Sequence, residues 1–248
     1  MRNKFLLAIS TAIVLATPVY AASLPSQEVA SLRRLTQEEY RNSISDIFGS
    51  GIEIRGVFEP TIRVGGLQAA STTVLSVTPV GFESFTKMAD SIAVQVTGEK
   101  YRSKLPCAPK DAKAADDACT GQILSHYGMM LFRRPLTSDE IKSRVALAHG
   151  LAEKQKDFYA GLRYGLASLL QASDFVFRKE VALPAADKKS YTLDPYSRAT
   201  RLSYLLWNTT PDHELLDAAQ KGDLNTQAGL EKQVDRLMAS PRLEVGMR

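Results

Sequence analysis

The stretch RLSYLLWNTTPDHELL, residues 201–216, holds the only tryptophan of the chain and one of its three histidines, set between Asp212 and Glu214. It reads as two helices and the corner between them. Leu202, Leu205 and Leu206 recur at helical spacing and form an apolar stripe. Asn208, Thr209 and Thr210 interrupt it. Thr210 is the expected N-cap of the next helix and Pro211 its first residue, while Asp212 and Glu214 suit the positive end of the helix dipole. Leu215, Leu216 and Ala219 give that helix a short apolar face. Upstream, Asp194 and Pro195 open the first helix in the same manner, and Arg198 stands four residues after Asp194, the spacing of a helical ion pair. Trp207 reads as a packed corner rather than a sugar-stacking platform, because indoles favour burial.

The same pattern runs outward through the chain. Thr36 and Glu39 form a capping box, Tyr40, Ile44, Ile47 and Phe48 share one face, and Gly49 supplies the stop. Further helical faces are marked by Phe85, Met88, Ile92 and Val96, then by Ile123, Tyr127 and Leu131. Pro135 ends that run. A second capping box, Thr137 with Glu140, opens a helix whose buried face is Ile141, Val145, Ala148 and Ala152. Phe158, Leu162, Leu166, Leu169 and Leu170 mark the next one, and Leu230, Val234, Leu237 and Met238 the last. Residues 50–78 lack helical period and are expected to form a long loop or short strands. The expected fold is therefore all-α, an irregular multi-helix array. It divides into a helical region at 22–180 carrying a disulfide loop, a linker at 181–192, and a second helical region at 193–248.

The first residues carry a different message. Arg2 and Lys4 precede the apolar run FLLAISTAIVLATPV, and Val19 and Ala21 are small residues at the positions a signal peptidase reads. Residues 1–21 are the expected signal peptide, which places the mature chain in the periplasm or outside the cell, with no membrane span after cleavage. The net charge of +4 is mild, and no basic stripe with interleaved aromatics supports nucleic-acid binding. In an oxidising compartment the only two cysteines, Cys107 and Cys119, bracket the polar loop APKDAKAADDA and are expected to form a disulfide. Their spacing fits no zinc pattern, and neither lies in C-x-x-C-H.

Chemistry is harder to find. No G-x-S-x-G elbow, G-x-G-x-x-G or P-loop occurs. His126, His149 and His213 lie far apart in sequence, none in H-E-x-x-H, so no metal ligands and no catalytic residues are assigned. Arg133 and Arg134 are candidates for contact with an anionic ligand, although cations in a last helical turn also suit the negative dipole end. His213, between two acids, is the third candidate for ligand contact.

Taken together, RRLTQEEYRNSISDIFG, the cysteine loop leading into LFRRPLTSDE, GLRYGLASLLQASDFVFRKE and LDPYSRATRLSYLLWNTTPDHELL resemble the planctomycete cytochrome-c-associated domain proteins, which also occur in proteobacteria. The resemblance covers roughly residues 32–248. It implies a large, exported, mostly helical protein built of several domains of unknown function. Many such proteins carry covalent haem in an additional cytochrome-like part, with a role in periplasmic electron transfer or oxidation. It transfers no catalytic residues. This chain has no C-x-x-C-H, so no cofactor is expected in it, and haem belongs to a further C-terminal part. Ser240 and Pro241 look like the start of one more helix with only about two turns of sequence after them, so the chain is expected to be the N-terminal portion of a longer protein.

The expected function is that of a non-catalytic helical module of an exported protein associated with periplasmic electron transfer. Its expected partners are a periplasmic redox protein or further C-terminal domains. Two alternatives stand beside it: the N-terminal part of an exported oxidoreductase or carbohydrate-active enzyme whose site needs further sequence, and an independent periplasmic binding module.

Overall fold

A computed structural model describes residues 28–59, 77–185 and 190–246. In chain order its elements are β1 (Glu28–Arg34), α1 (Gln37–Phe48), α2 (Pro79–Thr97), α3 (Glu99–Arg102), α4 (Asp117–Phe132), α5 (Ser138–Gln155), α6 (Phe158–Leu170), α7 (Ser173–Val176), β2 (Phe177–Pro184), β3 (Tyr191–Leu193), α8 (Pro195–Leu206), α9 (His213–Lys221), a 3₁₀ turn (Asp223–Asn225), α10 (Gln227–Met238) and α11 (Arg242–Gly246). The fold is mostly helical. The expected signal peptide, residues 1–21, lies outside the described residues, as does most of the 50–78 stretch; residues 50–59 and 77–78 are irregular.

The helix boundaries follow from local hydrogen bonds. Thr36 Oγ1 accepts from the Glu39 amide at 3.1 Å, and the Glu39 carboxylate accepts from the Thr36 amide at 2.8 Å. Thr137 and Glu140 repeat the reciprocal pair at the head of α5. Each box satisfies donors that a helix N-terminus otherwise leaves orphaned. Gly49 ends α1 at φ 96°, in the left-handed region that favours glycine.

Helix α6 lies between α2 and α5, and α5 also packs on α4. Gly161 makes the α5–α6 approach close: a Cβ there would collide with the Ala148 carbonyl and with Ala152. Tyr40, Ile44, Met88, Ile92, Ile123, Leu131, Phe158, Leu162 and Leu166 form the centre of the main core. A second, smaller core gathers Ala199, Trp207, Leu215, Ala218, Leu224 and Leu237. Cys107 and Cys119 are disulfide-bonded, with Cα atoms 5.6 Å apart and a sequence separation of 12. Serine at both positions is expected to cost about 2–3 kcal/mol through loop entropy. A thermal melt that does not move on double substitution would contradict this.

Several expectations are corrected by the tertiary structure. Strands flank the helices: β1 and β3 pair antiparallel on either side of β2, with Leu32 opposite Lys179 and Ala182 opposite Leu193. The segment 181–192 therefore has its ends in a hairpin, with residues 181–184 in β2 and 191–192 in β3. Of the leucine stripe of α8, Leu202 and Leu206 pack half-buried against the smaller core, but Leu205 is 69% exposed, and the fully buried positions are Ser197, Ala199, Thr200, Ser203 and Tyr204. Small and polar residues let α8 lie against β2 while their hydroxyls find partners, as Ser197 Oγ does with the Val181 amide at 2.9 Å. Met238, expected in the core face of α10, is 54% exposed. Arg198 does not pair with Asp194. Its guanidinium donates instead to Leu193 O at 3.0 Å, to Leu224 O at 2.6 Å and to Thr192.

Candidate functional site

The corner at 207–212 is where the two cores meet. Trp207 ends α8, and Asn208 turns the chain at φ 54°, a left-handed conformation that asparagine tolerates. The N-cap of α9 is Asp212, whose carboxylate accepts from the Leu215 amide at 2.9 Å, so the helix begins two residues later than expected. That frees Thr210 to donate to Met130 O on α4 at 2.8 Å. Thr209 donates to Asp46 on α1 at 2.8 Å, and Asn42 Nδ2 donates to Asn208 O at 3.1 Å. The corner is bolted to two helices of the first core.

This docking encloses a small cavity of about 180 Å³ lined by Asp46, His126, Asp212, His213 and Arg242 among others. Two histidines 87 positions apart in sequence meet there, with ring centres 5.4 Å apart and planes 29° from parallel. His126 is held below the usual imidazole range, first by burial and then by the charge of His213. Burial works against ionisation of Asp212, but the Arg236 fork, at 2.7 and 2.9 Å, and the Leu215 amide prevail and hold its carboxyl below the ordinary range. Arg242 reaches Asp46 at 3.6 Å. His149, the third histidine, is elsewhere: it pairs with Asp117 at 2.8 Å on the surface, and that carboxylate raises its pKa.

The two candidate arginines border a larger groove of about 650 Å³, between the α4–α5 corner, β2 and the start of α8. Neither sits within the last turn of α4. Arg133 is its left-handed terminus, at φ 57°. Its buried guanidinium donates to Phe177 O at 2.7 Å, to Phe175 O, to Asp174 O and to the Tyr204 hydroxyl at 3.2 Å. A four-residue helix such as α7 cannot satisfy its own carbonyls, and Arg133 supplies donors to them. Arg134 forks onto Glu140 at 2.8 and 2.9 Å and reaches Asp174 at 2.8 Å, which raises its pKa further. Lys179, exposed on β2, is a further cation at this groove.

Glu140 carries a pH signature. The Arg134 fork, opposed by partial burial and aided by the Thr137 amide, pulls its carboxyl from 4.5 to about 2. A folded-state value below the unfolded one stabilises above the unfolded pKa and is lost as pH falls through the folded one. Stability is expected to decline between pH 4.5 and about 2 for this reason. Glu140→Gln should cost about 1 kcal/mol at neutral pH after solvent screening, with the difference from wild type closing towards pH 2. Urea melts across that range read it out, and parallel pH profiles for the two proteins would refute it.

Among the described residues, no cluster of three or more His, Cys, Asp or Glu side chains has metal-binding geometry, and no helix is long and apolar enough to cross a membrane. This is a mostly helical, multi-segment protein whose polar side chains converge at junctions between segments. Three family models match it in chain order: PSD3, a protein of unknown function (DUF1587), at residues 33–98; PSD5, a protein of unknown function (DUF1595), at 119–180; and PSD4, a protein of unknown function (DUF1592), at 193–248. No curated protein and no solved structure matches the chain. The three matched segments interlock through the contacts above. Thr209 with Asp46 joins the third to the first, and Thr210 with Met130 joins the third to the second.

Sequence reasoning singled out His213 and both arginines but missed their settings. It gave His126 no role, because nothing local signals a partner 87 positions away. Tyr204, which links Ser43 at 3.0 Å to Arg133, carried no signal at all beyond its place on a helix.

Proposed function

We propose that this chain is a non-catalytic helical module of an exported protein that works in periplasmic electron transfer, where it holds and presents a haem-bearing partner or domain. The observation that carries the reading is the use made of the conspicuous polar groups. Thr209 and Thr210 join the third matched segment to the first and the second, Arg133 reaches from the second to Tyr204 in the third, and Arg134 is engaged within the second by Glu140 and Asp174. The disulfide between Cys107 and Cys119 supports export, since such bonds persist in oxidising compartments. The order of the three matched segments supports the electron-transfer association, through the resemblance to cytochrome-c-associated proteins.

Expression with the native leader in a Gram-negative host, followed by fractionation and mass spectrometry, tests the reading. The chain should be recovered from the periplasm starting at Ala22, with both cysteines blocked to alkylation until reduced. It should give no haem stain, no redox couple in voltammetry, and measurable association with an immobilised periplasmic c-type cytochrome. Cytoplasmic retention with free thiols would overturn the export half. A covalent haem spectrum, or failure to associate with any such cytochrome, would overturn the module half.

A further inference from the structure

The pair of imidazoles in the small cavity at the corner has no structural task that the fold requires. Both residues have solvent-exposed surface, although His126 is also partly desolvated by its surroundings. Among the described residues, neither donates to or accepts from a protein group in any hydrogen bond; His126 touches the Tyr127 ring edge-on at 5.0 Å, and the two histidines face each other. His149 differs, since its Nδ1 is engaged by Asp117 at 2.8 Å. The main chain around the pair is well held. His126 lies within α4, and His213 is the first residue of α9, one position after the Asp212 cap.

We infer that His126 and His213 form an exchangeable site for a borderline transition-metal dication of the zinc, nickel or copper(II) class. The distance supports this. Two imidazoles on one ion, with metal–nitrogen bonds of about 2.0–2.1 Å and a tetrahedral angle, have ring centres about 5 Å apart. The observed 5.4 Å matches that spacing, and the rings, now stacked at 29°, must rotate about their side-chain torsions to turn one nitrogen of each towards a common point. Imidazole selects this class of ion over magnesium or calcium, which prefer oxygen donors. Asp46 and Asp212 line the same cavity and place two carboxylates beside the ion, while Arg242 opposes it. Both carboxylates are already engaged, Asp46 by Thr209 and Asp212 by Arg236, so solvent completes the coordination. Two protein ligands and open positions make a micromolar, ligand-accepting site rather than a closed structural one.

The test uses tag-free mature chain and the chlorides of zinc, nickel and copper(II), each alone, in isothermal titration. One equivalent of at least one ion should bind, with a dissociation constant on the order of 10 µM. His126→Ala and His213→Ala should each weaken binding about tenfold or more, and His149→Ala should leave it unchanged. Copper(II) should show two-nitrogen hyperfine structure in its electron paramagnetic resonance spectrum, reduced to one nitrogen in either site variant. Circular dichroism melts verify that each variant is folded. The proposal fails if the wild-type chain binds none of the ions. It fails equally if binding survives both site substitutions or is lost with His149→Ala alone.

Discussion

Replacing Arg133 by alanine is expected to lower the unfolding free energy by about 3–5 kcal/mol, the usual consequence of removing one partner from a buried charged network. The guanidinium is buried, and it donates to the carbonyls of Asp174, Phe175 and Phe177 and to the Tyr204 hydroxyl. Alanine takes the guanidinium donor from the three carbonyls, of which that of Phe175 is fully buried, while the Tyr204 hydroxyl keeps Ser43, and each abandoned buried acceptor costs about 1–3 kcal/mol. Arg133→Lys should recover little, because an ammonium on a single stem cannot span three carbonyls as a planar fork does. For a chain of this size, about 4 kcal/mol corresponds to a fall in Tm on the order of 10 °C. A shift of under about 2 °C for Arg133→Ala would show that the network is not what holds α7 and β2 against α4.

The second large effect is at Trp207. Its side chain is buried in the smaller core, its indole Nε1 donates to Leu237 O at 2.9 Å, and the guanidinium groups of Arg236 and Arg242 lie 5.6 and 5.0 Å from its ring. Gly246 of α11 comes so close that a Cβ there would collide with the Leu206 carbonyl. Trp207→Ala should cost about 3–5 kcal/mol through the cavity it leaves. Trp207→Phe keeps most of the packing and removes one donor from the Leu237 carbonyl, which retains the Ser240 amide at 3.3 Å, for about 1 kcal/mol. Because this is the only tryptophan, the melts must be followed by circular dichroism rather than by indole fluorescence. Near-equal losses for alanine and phenylalanine would mean that the hydrogen bond, and not the packing, dominates.

These two residues mark where sequence reading succeeds and where it stops. Trp207 was legible as a packed corner, since a lone indole at the end of an apolar helix has few other uses. Its carbonyl partner, 30 residues on, was not. Arg133 was legible only as a cation near a helix end. Its actual work depends on carbonyls 41 to 44 residues away that converge only after α7 and β2 have packed. The strands were missed for a related reason. FRKEVALP at Phe177–Pro184 shows no clean alternation, and its strand character comes from ladders to β1 and β3 on both sides.

By itself the sequence determined the features whose forces act within a turn or two of helix. These are the capping boxes at Thr36 and Thr137, the glycine stop at residue 49, the cysteine bracket and the mostly helical character, for each depends on groups three or four residues apart or on one short loop. The tertiary structure alone decided which face of α8 is buried, which residue caps α9, what Arg133 holds, and that His126 meets His213. Those outcomes depend on which backbone carbonyls and side chains lie opposite once the two cores have docked. Local periodicity carries no information about partners that distant, because the free energy choosing among them is released only when both surfaces leave water together.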